Sequence, residues 1–329
     1  MSVSIPRRIF LSLLACLLCL SCVGSLTACH KEMPKRLDGM YSSDTVSENS
    51  QGQENTNNVP SQTDSDTASS PDTDDISYPV PKFQAGSYDM TSSSTYEHLL
   101  LSGNEVKARI TISQTYDYRI KLSVKKNGSM TAVYTFTRIR TSYEDSETYS
   151  TDTNNKKGRT DDNAVYYDLI GQSFTVNITK DCGLSVSGVN KIHQKYPDTA
   201  EIISNDNLGE VAADLFYPID GDISVGRSWK RNQNSISDTY TVTKIRDGTA
   251  IINIKGGELA IPQPVTQNDI TYTYRECAPL TGSVVIDLNN RMIQEQSSYQ
   301  ANSGDAEYNG TIYSFEEVSS SLCEITKAK

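Results

Sequence analysis

The chain has 329 residues, 36% of them apolar, and a formal net charge of −11. An acidic chain without a basic stripe argues against nucleic acid as a partner, and the lack of a polybasic run argues against an electrostatic grip on anionic lipid. Setting aside the N-terminal segments described next leaves roughly 250 residues, ample for one sizeable core.

Arg7 and Arg8 precede an apolar run from Ile9 to Leu26, the pattern of a secretory signal segment. An uncleaved membrane anchor is the alternative, since the run is at the lower edge of a span; Ser12, Ser21, Gly24 and Ser25 interrupt it. The residues Leu26-Thr27-Ala28-Cys29 resemble the lipobox of bacterial lipoproteins. That resemblance implies cleavage after Ala28 and a diacylglycerol thioether on Cys29. The protein is then expected on the extracytoplasmic side of a bacterial cell membrane, held through the lipid on Cys29. Two or three acyl chains anchor stably where one holds marginally.

From His30 to about Asp75 the chain is Ser, Thr, Asp, Asn, Gln and Pro with almost no large apolar residue. Such a tract cannot bury enough surface to offset chain entropy. Residues 29–80 therefore read as a disordered tether, with a mean reach of roughly 40 Å. Residues 1–28 form the signal peptide and residues 81–329 the folded domain.

Alternation dominates that domain. Val106, Ala108, Ile110 and Ile112 share one strand face, and the same period recurs at Tyr118, Ile120, Leu122 and Val124. Asn127-Gly128 is a hairpin signal with Ser129 to Thr141 as the return strand. Phe174, Val176 and Ile178 face one way, and a turn at Lys180 to Gly183 leads into Leu184 to Val186. One-sided strands predict an antiparallel sheet.

Between Lys191 and Phe216 the strand pattern breaks. Asp198-Thr-Ala-Glu201 reads as a variant capping box. Leu208, Val211, Ala212, Leu215 and Phe216 then form one apolar helical stripe, and Pro218 stops it. A one-sided helix beside a sheet must lay that stripe on the sheet. Strands resume at Tyr240 to Val242, Ile251 to Ile254, Tyr272 to Tyr274, Val284 to Leu288 and Ile312 to Val318. Turns are expected at Asp247-Gly248, Gly256-Gly257, Pro279 to Gly282, Asn289-Asn290 and Gly304-Asp305. The segment from Gly171 also resembles the segment from Gly282: each is glycine, strand, polar turn, strand. A period of about 110 residues is too long for a solenoid and suggests two similar half-sheets, although any two hairpins align about this well. The expected fold is mainly β: a curved antiparallel sheet, a half-barrel if the halves are duplicated, with a central helical segment.

Val225-Gly226-Arg227-Ser228-Trp229 opens the second half. This element, after a hairpin and a helix, resembles an uncharacterised family of secreted bacterial lipoproteins with a V-G-x-S-W element. The arrangement is also similar, in architecture only, to the half-barrels of envelope lipoprotein carriers, in which a curved sheet wraps a helix and holds lipid.

Seven cysteines reduce to Cys182, Cys277 and Cys323 beyond the signal and Cys29. Cys277 and Cys323 are the better pair for a disulfide, with three reduced thiols the equal alternative. The one conceivable thiol site is Cys182 with Asp181 and His193, but a cysteine in a hairpin turn is more often a turn residue. No G-x-S-x-G or H-E-x-x-H occurs, zinc spacing is absent, and Lys156 and Lys157 spoil a calcium loop around Asp152, Asn154 and Asn155. Asp145 to Asp162 is expected as a long mobile loop. The 19 tyrosines suit half-buried packing in strands more than a ligand surface. The expectation is a non-enzymatic protein without metal or cofactor. It binds a lipid or other amphiphile between helix and sheet, on Leu208, Val211, Leu215 and Phe216. The competing expectation is a surface module that binds protein or wall polymer through tyrosines.

Overall fold

Period-two burial recurs along nearly every strand, and the result is one antiparallel sheet of fourteen strands. The structure is a computed structural model and describes residues 84–145, 148–179, 183–215, 223–233, 236–267, 270–289 and 292–329. The lipobox, the signal segment, the tether and Phe216 lie outside the described residues.

The strands are β1 (Gly86–Ser102), β2 (Glu105–Val124), β3 (Met130–Glu144), β4 (Thr148–Asp152), β5 (Ser173–Ile178), β6 (Leu184–Ser187) and β7 (Ser228–Gln233). They continue as β8 (Ile236–Arg246), β9 (Thr249–Lys255), β10 (Val265–Gln267), β11 (Ile270–Cys277), β12 (Thr281–Asp287), β13 (Ile293–Tyr308) and β14 (Thr311–Lys327). Among the described residues three α-helices lie between the halves or just before: α1 (Ala164–Leu169), α2 (Val189–Lys195) and α3 (Asn205–Leu215). The order across the sheet is β6-β5-β3-β2-β1-β14-β13-β12-β9-β8-β7, and its two end strands do not pair with each other. The sheet is therefore open. It is also curved, since α3 touches both β6 and β13, which stand far apart in that order.

The two halves share a connection order. β1-β2-β3 and β7-β8-β9 are three-strand meanders, each followed by an excursion (β4; β10 and β11) and then a hairpin, β5-β6 or β12-β13. β14 joins the halves by pairing with β1 on one side and β13 on the other. β11 and β12 lie in series on the same edge of β13, and the Ala278 N–H donates to Ala301 O between them. Pro279, which has no N–H, sits where the sheet forks into the β12-β9-β8-β7 branch and the β11-β10 branch. At that fork the Gly256 N–H donates to Leu280 O at 2.7 Å, and a Cβ on Gly256 would lie 2.8 Å from the Leu280 nitrogen.

The concave face buries two large apolar clusters. One joins the helices to β2, β3 and β5 through Ile120, Tyr134, Phe136, Phe174, Leu169 and Leu208. The other packs β8, β9 and β12 through Val242, Ile252, Val284 and Ile286. By the hydrophobic effect these burials dominate the stability of the domain.

Several details differ from expectation. The helix cap is not Asp198: residues Pro197–Glu201 are a 3-10 turn. The Ser204 N–H instead donates to Asn207 Oδ1 at 2.7 Å, and the Asn207 N–H donates to Ser204 Oγ at 3.2 Å, a reciprocal cap for α3. The segment 145–162 is not a bare loop. It holds β4 and a 3-10 turn, tied down by the Tyr167 hydroxyl, which donates to Asp152 O and Asn155 O. Gly304-Asp305 is no turn but lies within β13, where Phe315 packs too closely for any Cβ on Gly304. The turn is Asn309-Gly310, both at positive φ. Cys277 and Cys323 form no disulfide with each other. They stand beside Asn302 and Gln296 of β13, roughly 20 Å apart along the strand.

Candidate functional site: a polar trough on the concave face

Inward positions on a strand are normally apolar, and at the two ends of β1 and β14 they are: Met90 and Ile325 at one end, Leu100 and Phe315 at the other. Between them the same face turns polar. The pairing register lays this out in rows across β13, β14, β1 and β2. One row is Asn302, Glu317 and His98. The next is Gln300, Ser319 and Tyr96, then Ser298, Ser321, Ser94 and Gln114, then Gln296, Cys323, Ser92 and Tyr116. The serines and Gln296 are half-buried, while Gln114 is 1% exposed.

One end of this trough is closed by β11. Glu317 accepts hydrogen bonds from the Tyr96 hydroxyl at 2.9 Å and the Tyr274 hydroxyl at 3.2 Å, and His98 Nδ1 lies 3.4 Å away. Burial alone would raise the Glu317 carboxyl, but the hydrogen bonds and charge of His98, with the two tyrosine hydroxyls, outweigh it and hold the carboxyl below its ordinary value. Burial, reinforced by Glu317, pushes the Tyr96 and Tyr274 hydroxyls up. The His98 ring stacks on Phe315, with ring centres 5.8 Å apart, and meets Tyr272 edge-on.

The other end is closed by α3. Met90, Ser92, Val211, Gln296, Ser321 and Cys323 line a cleft of about 20 Å³, the space of about one water. Among the described side chains of the helical stripe, Val211 lines the cleft. Leu208, at 2% exposed, packs within the core instead. The side chain of Leu215 is outside the described residues, as is Phe216.

The other singled-out residues have structural places. Tyr116, Tyr118, Tyr134, Tyr143, Tyr166, Tyr272 and Tyr274 are buried, so they form no exposed aromatic surface. Trp229 stacks on Tyr240 at 5.8 Å, and Gly226, at φ 84°, turns the chain into β7, so the Val225–Trp229 element builds a sheet edge. His193 Nε2 lies 3.1 Å from Ile203 O; Asp181 and Cys182 are outside the described residues. Asp152 forms a two-pronged pair with Arg138. Among the described residues no group of His, Cys, Asp and Glu is placed to hold a metal. No described helix is long and apolar enough to cross a membrane.

Sequence reasoning passed over the trough. Its strands, β1 and β13, carry Ser-Ser-Ser and Gln-Ser-Ser-Tyr-Gln, polar on both faces, so no hydrophobic alternation marks them. The available signal was the even spacing of Gln296, Ser298, Gln300 and Asn302.

No family model and no curated protein matches the chain. Among solved structures it is similar to a DUF1329 family protein from Desulfovibrio piger, with 10% identity over 72% of this chain and 83% of that one and a TM-score of 0.15. A likeness at that level says nothing about function.

Proposed function

We propose that this chain is a non-enzymatic, lipid-anchored extracytoplasmic protein that takes an amphiphilic ligand between α3 and the sheet. The observation that carries the reading is the concave face itself. An open sheet places a half-buried polar trough directly beside the cleft that Val211, Met90 and Cys323 line. A face that is apolar at one end and polar next to it matches the two ends of an amphiphile. The lipobox at Leu26 to Cys29 supplies the anchor, and residues 29–80 supply the tether that lets the domain work away from the membrane.

Two experiments test this. Cys29→Ala should abolish incorporation of a clickable palmitate and release the protein from the membrane fraction; a variant that stays labelled refutes the anchor. Native mass spectrometry of the full chain carrying Cys29→Ser should show co-purifying lipid that Val211→Asp removes while circular dichroism stays unchanged. Lipid retained on a folded Val211→Asp protein overturns the ligand site. Lipid absent from both favours a surface module instead.

A further inference from the structure

The trough holds more hydrogen-bonding capacity than the folded chain uses. Among the described residues, both amide atoms of Gln114, the Gln300 amide nitrogen and the Tyr116 hydroxyl are buried without a partner. Buried polar groups are ordinarily satisfied, because leaving one unmade carries its full desolvation penalty. Gln114 stands beside Ser94 in the register, and Gln300 beside Ser319, so these unmet groups flank the half-buried serines on the trough floor.

The chemistry of the set is specific. The Gln114 carboxamide offers an unmet N–H donor and an unmet carbonyl acceptor together, Gln300 offers an unmet N–H donor, and serines offer both from one oxygen. A sugar hydroxyl, itself donor and acceptor, is the complement. An anionic head group would want Arg or Lys, and none of the trough rows contains either. Helix α3, which faces the trough, has none either. A cationic head group would want the carboxylate of Glu317, but Tyr96, Tyr274 and His98 already occupy it.

We propose that the trough recognises the neutral, polyhydroxylated head group of a glycosyl diacylglycerol, with the acyl chains directed toward Met90 and Val211. This rests on the amphiphile reading above. The cleft is only about 20 Å³, so binding requires α3 to move away from the sheet at β13 and the adjoining strands. The unmet amides of the free protein become paired when the sugar arrives.

The test uses the full chain carrying Cys29→Ser and three fluorescent lipids: diglucosyl diacylglycerol, phosphatidylglycerol and plain diacylglycerol. The glycolipid should bind at least about tenfold tighter than either other lipid, about 1.4 kcal/mol. Gln114→Leu and Gln300→Leu should each erase that preference while leaving diacylglycerol binding unchanged. Gln114→Leu should not lower the thermal midpoint, since it removes an amide unmet at both atoms; unchanged preference in these folded variants refutes the assignment. Equal binding of all three lipids, or a preference for phosphatidylglycerol, overturns the head-group inference and leaves the amphiphile reading standing. Binding of none overturns both.

Discussion

Glu317→Gln keeps the size of the side chain and removes its charge. In the wild-type protein the carboxylate accepts from Tyr96 and Tyr274 and faces His98. A hydrogen bond to a charged partner contributes about 1.5–3 kcal/mol and a neutral one about 0.5–1.5. Neutralising a shared acceptor of this kind should therefore cost about 2–3 kcal/mol at neutral pH, or roughly 5–10 °C in thermal midpoint for a domain of this size. The cost has a pH signature. The folded carboxyl titrates lower than the unfolded one, so its contribution is present above the ordinary glutamate range near about 4.3 and is lost as pH falls through the folded value. Urea unfolding of wild type and Glu317→Gln from pH 7 to pH 3 should show a gap that closes toward acid. A gap of unchanged size across that range would refute the account of Glu317 as a buried, hydrogen-bonded anion.

Gly304→Ala should lower the thermal midpoint by an amount corresponding to about 1–3 kcal/mol, the usual cost of overpacking. Its Cβ would lie 2.6 Å from a Phe315 ring carbon and would overlap Thr273 O, so an unchanged midpoint by calorimetry would contradict that packing. Asp152 is held at about 2, chiefly by its hydrogen bonds from Arg138. Asp152→Asn should therefore cost stability at neutral pH, below about 1 kcal/mol because the pair is partly exposed and screened. The difference should fade as pH drops from about 4 toward the folded value; denaturant titration at several pH values measures it. Cys277 and Cys323 form no disulfide with each other, and burial, with Glu317 and Glu276, pushes the Cys277 thiol up. Native maleimide labelling read by peptide mass spectrometry should find Cys277 slow and Cys323 protected, with both labelled in urea. A Cys277–Cys323 disulfide peptide would overturn the register of β11 and β14 against β13.

Much of the sheet is legible in the sequence, and the limits of that legibility are instructive. Ile110, Ile120, Phe174 and Val176 alternate with polar neighbours because one face is buried, and the strands they mark are present. Asp247-Gly248 is read correctly because positive φ at both positions demands residues of that kind. Gly304 misleads: glycine in a strand signals close approach as readily as a turn, and here the approaching ring comes from a residue eleven positions later. The serine-rich runs of β1 and β13 cannot be told from loop by periodicity, since their partners, not their own side chains, make them strands.

The sequence by itself determines the class of the fold, the hairpin turns at Asn127-Gly128 and Asp247-Gly248 and the helical stripe of Leu208, Val211 and Ala212, because each is a local pattern with a local physical cause. Only the tertiary structure decides the site. Ser94, Gln114, Ser298 and Ser321 are far apart in the chain and become one trough floor through the register of β13, β14, β1 and β2. Hydrogen-bonded pairing is non-local, and a one-residue slip would turn every one of these side chains to the opposite face.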